Sequence, residues 1–260
     1  MKKNIFMVIV LILVLAMLSY VGYGFYKKVT EEVKNPVVTL EIENQGTVKM
    51  ELYPDMAPNT VKNFIRLVQN GYYNGKTFFG IDTNAVYAGR NGDGEIENAK
   101  LSNIGKSSDS EDYEYQINGE FVANNYEENT LRHEKGIVSM ARNDYSQYMS
   151  NLTVQSYNSA NSQFSILLND ERGYNGLYAA FGKVIEGLEI IENFKNLETK
   201  VEEGEDAASS ESTLKNFAQM PKITNATVET YGVDYGEPEV EKAFDYQNYI
   251  YNYYSQQYAQ

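Results

Sequence analysis

The sequence predicts a mainly β domain, a sandwich or a barrel with helical plugs, behind an apolar N-terminal span. Three observations carry this. Apolar and polar residues alternate through residues 37–52, and short apolar runs recur at 136–141, 164–168 and 178–182. Only two stretches, around 61–68 and 186–194, space their apolar residues as a helix does.

Ile5 to Leu18 is uninterrupted apolar sequence, and Tyr20 to Tyr26 extends it with aromatics and two glycines. Lys2-Lys3 and Lys27-Lys28 bracket about 22 residues, close to the ~20 that a spanning helix needs. Residues 1–28 are therefore read as a transmembrane anchor, with 5–26 in the membrane. A cleaved signal peptide is the alternative, although no A-x-A-like site follows promptly. Lysines at both ends barely choose an orientation. A two-lysine start before a long polar domain is the usual export arrangement. The expectation is a single-pass cell-membrane protein with its domain on the extracytoplasmic side.

Residues 29–36 form a short charged linker. Val38, Leu40 and Ile42, then Val48, Met50 and Leu52, alternate with polar residues around a turn at Gln45-Gly46, which predicts a hairpin. Pro54 and Pro58 end the second strand and pre-set the first turn of a helix. Val61, Phe64, Ile65 and Val68 give that helix one buried stripe, and Asn70-Gly71 stops it. Residues 91–116 and 143–161 are polar and read as loops. Between and after them, Gly136–Ala141, Phe164–Leu168 and Tyr178–Gly182 read as strands. A second helical stripe follows at Leu188, Ile191 and Phe194, then an acidic, serine-rich loop from Glu198 to Ser212. Ile223–Tyr231 is a last strand, and residues 241–260 form a tyrosine-rich tail.

The net charge of −14, with four lysines and no acid in the first 28 residues, leaves the rest of the chain strongly acidic. Such a domain repels phosphate backbones, so nucleic acid is excluded as a partner. Without cysteine there is no disulfide, thiolate metal site or cysteine nucleophile. A lone His133 argues against a Ser-His-Asp triad and against a multi-histidine metal site.

Several segments occur in an order that is informative together. They are Gly46-Thr47-Val48-Lys49-Met50-Glu51-Leu52-Tyr53-Pro54, Ala57-Pro58-Asn59-Thr60-Val61 with Asn63-Phe64, and Gly71-Tyr72-Tyr73-Asn74-Gly75. Gly119-Glu120-Phe121, Leu131-Arg132-His133 and Gly136-Ile137-Val138-Ser139-Met140-Ala141-Arg142 follow. Ser159-Ala160-Asn161-Ser162-Gln163-Phe164 and the run from Ala179 to Gly187 complete the series. This set resembles the cyclophilin family of peptidyl-prolyl isomerases, especially its bacterial members. The resemblance implies a closed eight-stranded β-barrel capped by two helices over residues 37–240. It implies prolyl isomerase activity on exported proteins at the membrane surface, with proline-containing segments as substrates and no cofactor or metal.

An X-Pro bond rotates slowly because amide resonance sets a barrier of about 18–20 kcal/mol. Catalysis calls for an apolar grip on the proline ring and a donor that stabilises the twisted amide. In cyclophilins that donor is an arginine in a Phe-His-Arg-Val segment; here Phe78-Phe79-Gly80-Ile81 puts glycine in its place. The family's Phe-Met-x-Gln-Gly wall becomes Ala85-Val86-Tyr87-Ala88-Gly89, its second Ser-Gln-Phe-Phe phenylalanine becomes Ser165, and its Trp-Leu-Asp-Gly becomes Gly173-Tyr174-Asn175-Gly176. The loop from Arg142 to Ser162 is about ten residues longer than usual. Met140, Ala141, Arg142, Gln163, Phe164 and Tyr178 remain as the peptide-binding groove that the resemblance implies. Arg90 is the one candidate replacement donor, against the alternative of a solvated loop arginine.

Asn91-Gly92-Asp93-Gly94-Glu95 looks faintly like a calcium loop but lacks the acid spacing of an EF-hand. The acidic runs Asp109–Glu114 and Glu202–Asp206 read as solvated loops, and His133 as a structural hydrogen-bonder. The tyrosine-rich tail is either a partner-binding strip or a segment without specific role. Two functions compete: a weak prolyl isomerase, or a non-catalytic peptide- or protein-binding module on the same scaffold. A surface adhesin, resting on the tail alone, is a third.

Overall fold

The computed structural model describes residues 2–30, 34–106, 111–200 and 214–258. Two compact units divide the chain, residues 1–34 and 35–260. The first unit is one α-helix, α1 (Lys2–Thr30). Among the described residues, no helix is long and apolar enough to cross a membrane. The single-pass anchor expected over residues 5–26 is therefore not supported, nor is the cell-membrane, extracytoplasmic placement that rested on it.

In the second unit, β1 (Val37–Ile42) and β2 (Gly46–Leu52) form the expected hairpin, with Val37 opposite Glu51 and Ile42 opposite Gly46. All six alternating apolar residues are buried. α2 (Pro58–Gln69) buries Val61, Phe64, Ile65, Leu67 and Val68, and takes Pro58 in its first turn. No neighbouring side chain caps its start. Instead the carboxylate of Glu120, far along the chain, accepts the N–H groups of Asn59 and Thr60 at 2.8 Å each. An anion is favoured there because the first N–H groups of a helix lack partners and its dipole is positive at that end. At the other end Gly71 takes φ +72°, the left-handed stop expected of it.

The remaining strands are β3 (Thr77–Ile81), β4 (Ala85–Arg90), β5 (Tyr115–Gln116), β6 (Ile137–Met140), β7 (Phe164–Leu167) and β8 (Ala180–Glu186). They are followed by β9 (Lys215–Asn216), β10 (Ile223–Glu229) and β11 (Glu241–Lys242). Short helices α3 (Thr153–Tyr157) and α4 (Leu188–Asn193) and a C-terminal α5 (Tyr246–Tyr258) complete the unit. α4 is the second expected helix. Gly187, at φ +80°, precedes it where a Cβ would lie 2.4 Å from the Thr47 carbonyl oxygen, so only glycine fits. The core centres on α2: the ring of Phe64 lies 4.9 Å from Tyr73, 5.3 Å from Phe164 and 5.0 Å from Phe181.

A closed eight-stranded barrel does not form. Among the described residues the sheet has nine strands in the order β10-β1-β2-β8-β6-β7-β4-β3-β9, with β10 and β9 at its edges. β9 pairs with Gly80 and Ile81 on the outer side of β3, taking the edge where a closing strand would lie. Near the start of β3 the curl of the sheet brings β10 close. There the contact is one bridge, Thr77 with Lys222, and flanking bonds of 2.8 Å from Phe78 N–H to Pro221 O and from Ile223 N–H to Lys76 O. No ladder follows, so the sheet stays an open, curled half-barrel.

The two polar loops are more structured than their composition suggests. Within 91–116, Ala99, Leu101, Ile104 and Tyr115 are buried, and the Asn161 side chain pairs with both the N–H and the C=O of Ala99. The 143–161 insertion forms short helical turns around buried Leu152 and Ser156. The tail packs on this insertion: Tyr246 stacks on Tyr145 at 5.1 Å, and β11 pairs with β5. Of the acidic runs, Glu202–Asp206 and residues 109–110 lie outside the described residues, as does most of the Glu198–Ser212 loop. Asp112 accepts from the Ser102 N–H and hydroxyl.

Candidate functional site

A cleft of about 160 Å³ opens where the ends of β3, β4, β6 and β7 converge. One side comes from β6 and β7. Ala141 and Arg142 follow β6, Gln163 precedes β7, and Asn161 and Ser159 lie beside them. The other side comes from Phe79, Tyr87 and Arg90 on β3 and β4, with Leu214 just ahead of β9. No carboxylate lines it among the described residues, in a chain of net charge −14.

Of the expected groove residues, the structure brings Ala141, Arg142 and Gln163 to this cleft. Met140 and Phe164 lie instead in the core, at 2% and 0% exposure, because alternation along β6 and β7 turns them inward. Tyr178 stands behind Arg142, its ring 4.6 Å from the guanidinium and 5.0 Å from Tyr174. Burial raises its hydroxyl pKa, and the Arg142 charge opposes that. Arg142 is enclosed: Tyr157 and Phe121 also face it, at 5.2 and 5.9 Å. Its Nε donates to Leu177 O at 3.2 Å and its Nη1 to Asn143 O at 3.4 Å.

Gly80 sits between two strands, opposite Tyr87 on β4 and Asn216 on β9. A Cβ there would lie 2.8 Å from Lys215 O and 3.0 Å from Leu214 Cδ1. No space for a side chain remains at Gly80, since the 214–216 segment fills it.

Arg90, at the end of β4, points its head into the cleft. Its guanidinium carbon lies 3.8 Å over the Phe79 ring, and its Nε donates to Gln163 Oε1 at 3.2 Å. Burial lowers its pKa, but a guanidinium stays charged at any physiological pH. The solvated-loop alternative for Arg90 does not describe this geometry.

Phe79, Tyr87 and Leu214 are the wall residues that sequence reasoning missed. Phe79 was visible only as a second aromatic in a strand, and its bulged position on β3 turns it to the cleft. Tyr87 lies opposite Ser165 on β7, so its bulk stands beside the position where the family's phenylalanine is lost. Its hydroxyl donates to Asp82 Oδ2 at 2.8 Å; burial first, and the Asp82 charge second, push its pKa far up. No local signal marks Leu214.

Two further candidates resolve as structural. His133 is buried, with Nε2 3.0 Å from Ser139 Oγ and Nδ1 3.2 Å from Asn175 Oδ1, and burial lowers its pKa. The loop at Asn91–Glu95 receives the Lys76 ammonium, 2.6 Å from Asn91 Oδ1 and 2.7 Å from nearby Glu97 Oε2. Among the described residues, no group of three or more His, Cys, Asp or Glu could hold a metal.

A curled, mainly antiparallel sheet capped by helices, with a cleft at these strand ends, defines a cyclophilin-type domain. The family model for cyclophilin type peptidyl-prolyl cis-trans isomerase/CLD matches residues 37–221, and the chain belongs to that family. A probable peptidyl-prolyl cis-trans isomerase of Brucella suis is 30% identical over 221 residues, covering 83% of this chain and 94% of its own. Peptidyl-prolyl cis-trans isomerase B of Bacillus subtilis is 30% identical over 155 residues, 60% of this chain and 87% of its own. Among solved structures, a Cryptosporidium parvum cyclophilin type isomerase, crystallised in the presence of the dipeptide Ala-Pro, matches in fold. Its TM-score is 0.50 at 23% identity, covering 74% of this chain and 98% of that one.

Proposed function

We propose that the cleft binds proline-containing peptide segments and isomerises the X-Pro bond slowly. The carrying observation is the cleft itself. Tyr87 and Leu214 offer an apolar wall of the kind a pyrrolidine ring requires, and Gln163, Asn161 and Arg90 offer polar groups beside it. The Cryptosporidium relative crystallised in the presence of the dipeptide Ala-Pro and the family membership point to the same ligand class. Turnover is slow in this reading because the family's arginine is replaced by Gly80, whose face is covered by residues 214–216. Losing one preorganised donor costs about 10²–10³ in rate.

A non-catalytic binding module is the second reading, and the covered face of Gly80 favours it. One assay separates the two. The full chain is titrated with a short Ala-Pro peptide, and cis–trans exchange is measured by NMR on the same samples. Binding with exchange faster than in free peptide supports the isomerase. Binding with unaltered exchange supports the module, and no binding removes both.

A further inference from the structure

We propose that Arg90 is the catalytic donor of this cleft, delivered from the end of β4 in place of the side chain that β3 lacks. This rests on the reading of the cleft as a slow prolyl isomerase. Three observations carry it. First, Arg90 is gripped along one edge only: Phe79 supports its plane at 3.8 Å and Gln163 holds its Nε at 3.2 Å. Among the described residues, neither terminal nitrogen has a protein partner, and no carboxylate pairs with the group. Second, Arg142, the other cationic group of the cleft, is differently placed. Its Nε and one Nη1 hydrogen turn back to the main chain at Leu177 O and Asn143 O, and the rings of Tyr178, Tyr157 and Phe121, rather than a cleft-side acceptor, hold its head. Third, the position on β3 is blocked by main chain, so a donor can reach the cleft only from a neighbouring element. β4, paired with β3 through Thr77 opposite Arg90, is that neighbour.

The step needs no bond to form or break. As the X-Pro bond twists, resonance is lost and the nitrogen lone pair localises on the proline nitrogen. A terminal N–H of Arg90 donates to that lone pair, or to the carbonyl oxygen of the same amide. It keeps its proton, so the cycle ends with the same atoms and charges. Phe79 and Gln163 act as positioning residues, since they fix the plane without reaching the amide. A clamped, permanently charged donor needs little reorganisation when the twisted state appears.

The test uses the full chain, its Arg90→Ala, Arg90→Gln and Arg90→Lys variants, and a short Ala-Pro peptide. Exchange rate and peptide affinity are measured together, with a thermal melt for each variant. The expected result is a split: exchange catalysis falls by about 10²-fold or more in Arg90→Ala and Arg90→Gln, while affinity changes only a few-fold. Arg90→Lys, which keeps the charge but loses the planar clamp, should fall in between. Catalysis in the wild type that persists within two-fold in folded Arg90→Ala and Arg90→Gln would overturn the assignment and leave the isomerase reading standing. A wild type that binds peptide without accelerating exchange overturns both, and is recognisable as such before any variant is made.

Discussion

The two sides of the cleft are built differently. The β6–β7 side presents Ala141, Arg142 and Gln163, backed by buried Met140 and Phe164. On the β3–β4 side, Gly80 lies under residues 214–216, Tyr87 stands opposite Ser165, and Leu214 arrives from more than a hundred residues downstream. Both sides supply the core, through Val138, Met140, Phe164 and Ile166 on the first and Phe78, Val86 and Ala88 on the second, but the strands of the first side are flanked on both edges by long strands. The second lies toward the sheet edge, where a short added strand can be accepted. Core-linked residues resist change because cavities there are costly, whereas an edge strand can acquire new partners.

The sharpest way to break this comparison is on the β6–β7 side. Phe164→Ala should destabilise the domain by about 3–5 kcal/mol, since Phe164 is fully buried and touches Phe64 and Tyr73. Chemical denaturation measures this. A change in peptide affinity without that loss would place Phe164 in the cleft after all.

The next largest effect belongs to the β3–β4 side. Gly80→Ala should cost about 1–3 kcal/mol by overpacking, because its Cβ meets Lys215 O at 2.8 Å. Gly80→Arg should destabilise at least as much and bring no gain in isomerase turnover. A stable Gly80→Arg protein with turnover restored to ordinary family levels would show that residues 214–216 move aside readily.

Smaller still is the contact between tail and insertion. Tyr246→Ala removes the one ring that stacks on Tyr145 and tilts beside Tyr148, and should cost about 0.5–1.5 kcal/mol. Hydrogen exchange should then rise in 143–157 and stay unchanged in β6 and β7. A rise spread evenly over both would mean that insertion and cleft side unfold as one.

The smallest effect vanishes at neutral pH. Burial holds the His133 imidazole below its ordinary pKa of about 6.5, so the unfolded chain takes up a proton that the folded chain resists. The stability that His133 contributes is therefore complete above about 6.5, and is lost as pH falls through that value toward the lower folded one. Urea midpoints measured between pH 7 and 5 should fall for the wild type and fall less for His133→Gln.

The hairpin of β1 and β2, the stripe of α2 and the strand at 137–140 were legible because each is written in a local period. A two-residue alternation or a 3.6-residue spacing needs no knowledge of the partner. Gln163 and Arg142 were legible for the same reason, as parts of short runs whose order matches a family. The inward turn of Met140 and Phe164 could have been read from strand alternation, but a shared motif drew them into the groove. Glu120 belongs to the short run Gly119-Glu120-Phe121, yet its work at the start of α2 depends on a contact sixty residues distant.

By itself the sequence determined the β1–β2 hairpin, β6, β7, β8 and β10, the helices α2 and α4, and the family. Tertiary structure alone decided that the sheet stays open, that residues 214–216 lie on Gly80, and that Arg90 turns onto Phe79 and Gln163. The physical reason is one of range. Propensity and periodicity act over a turn or a strand, whereas edge pairing and side-chain clamps join residues whose separation in the chain leaves no pattern to read.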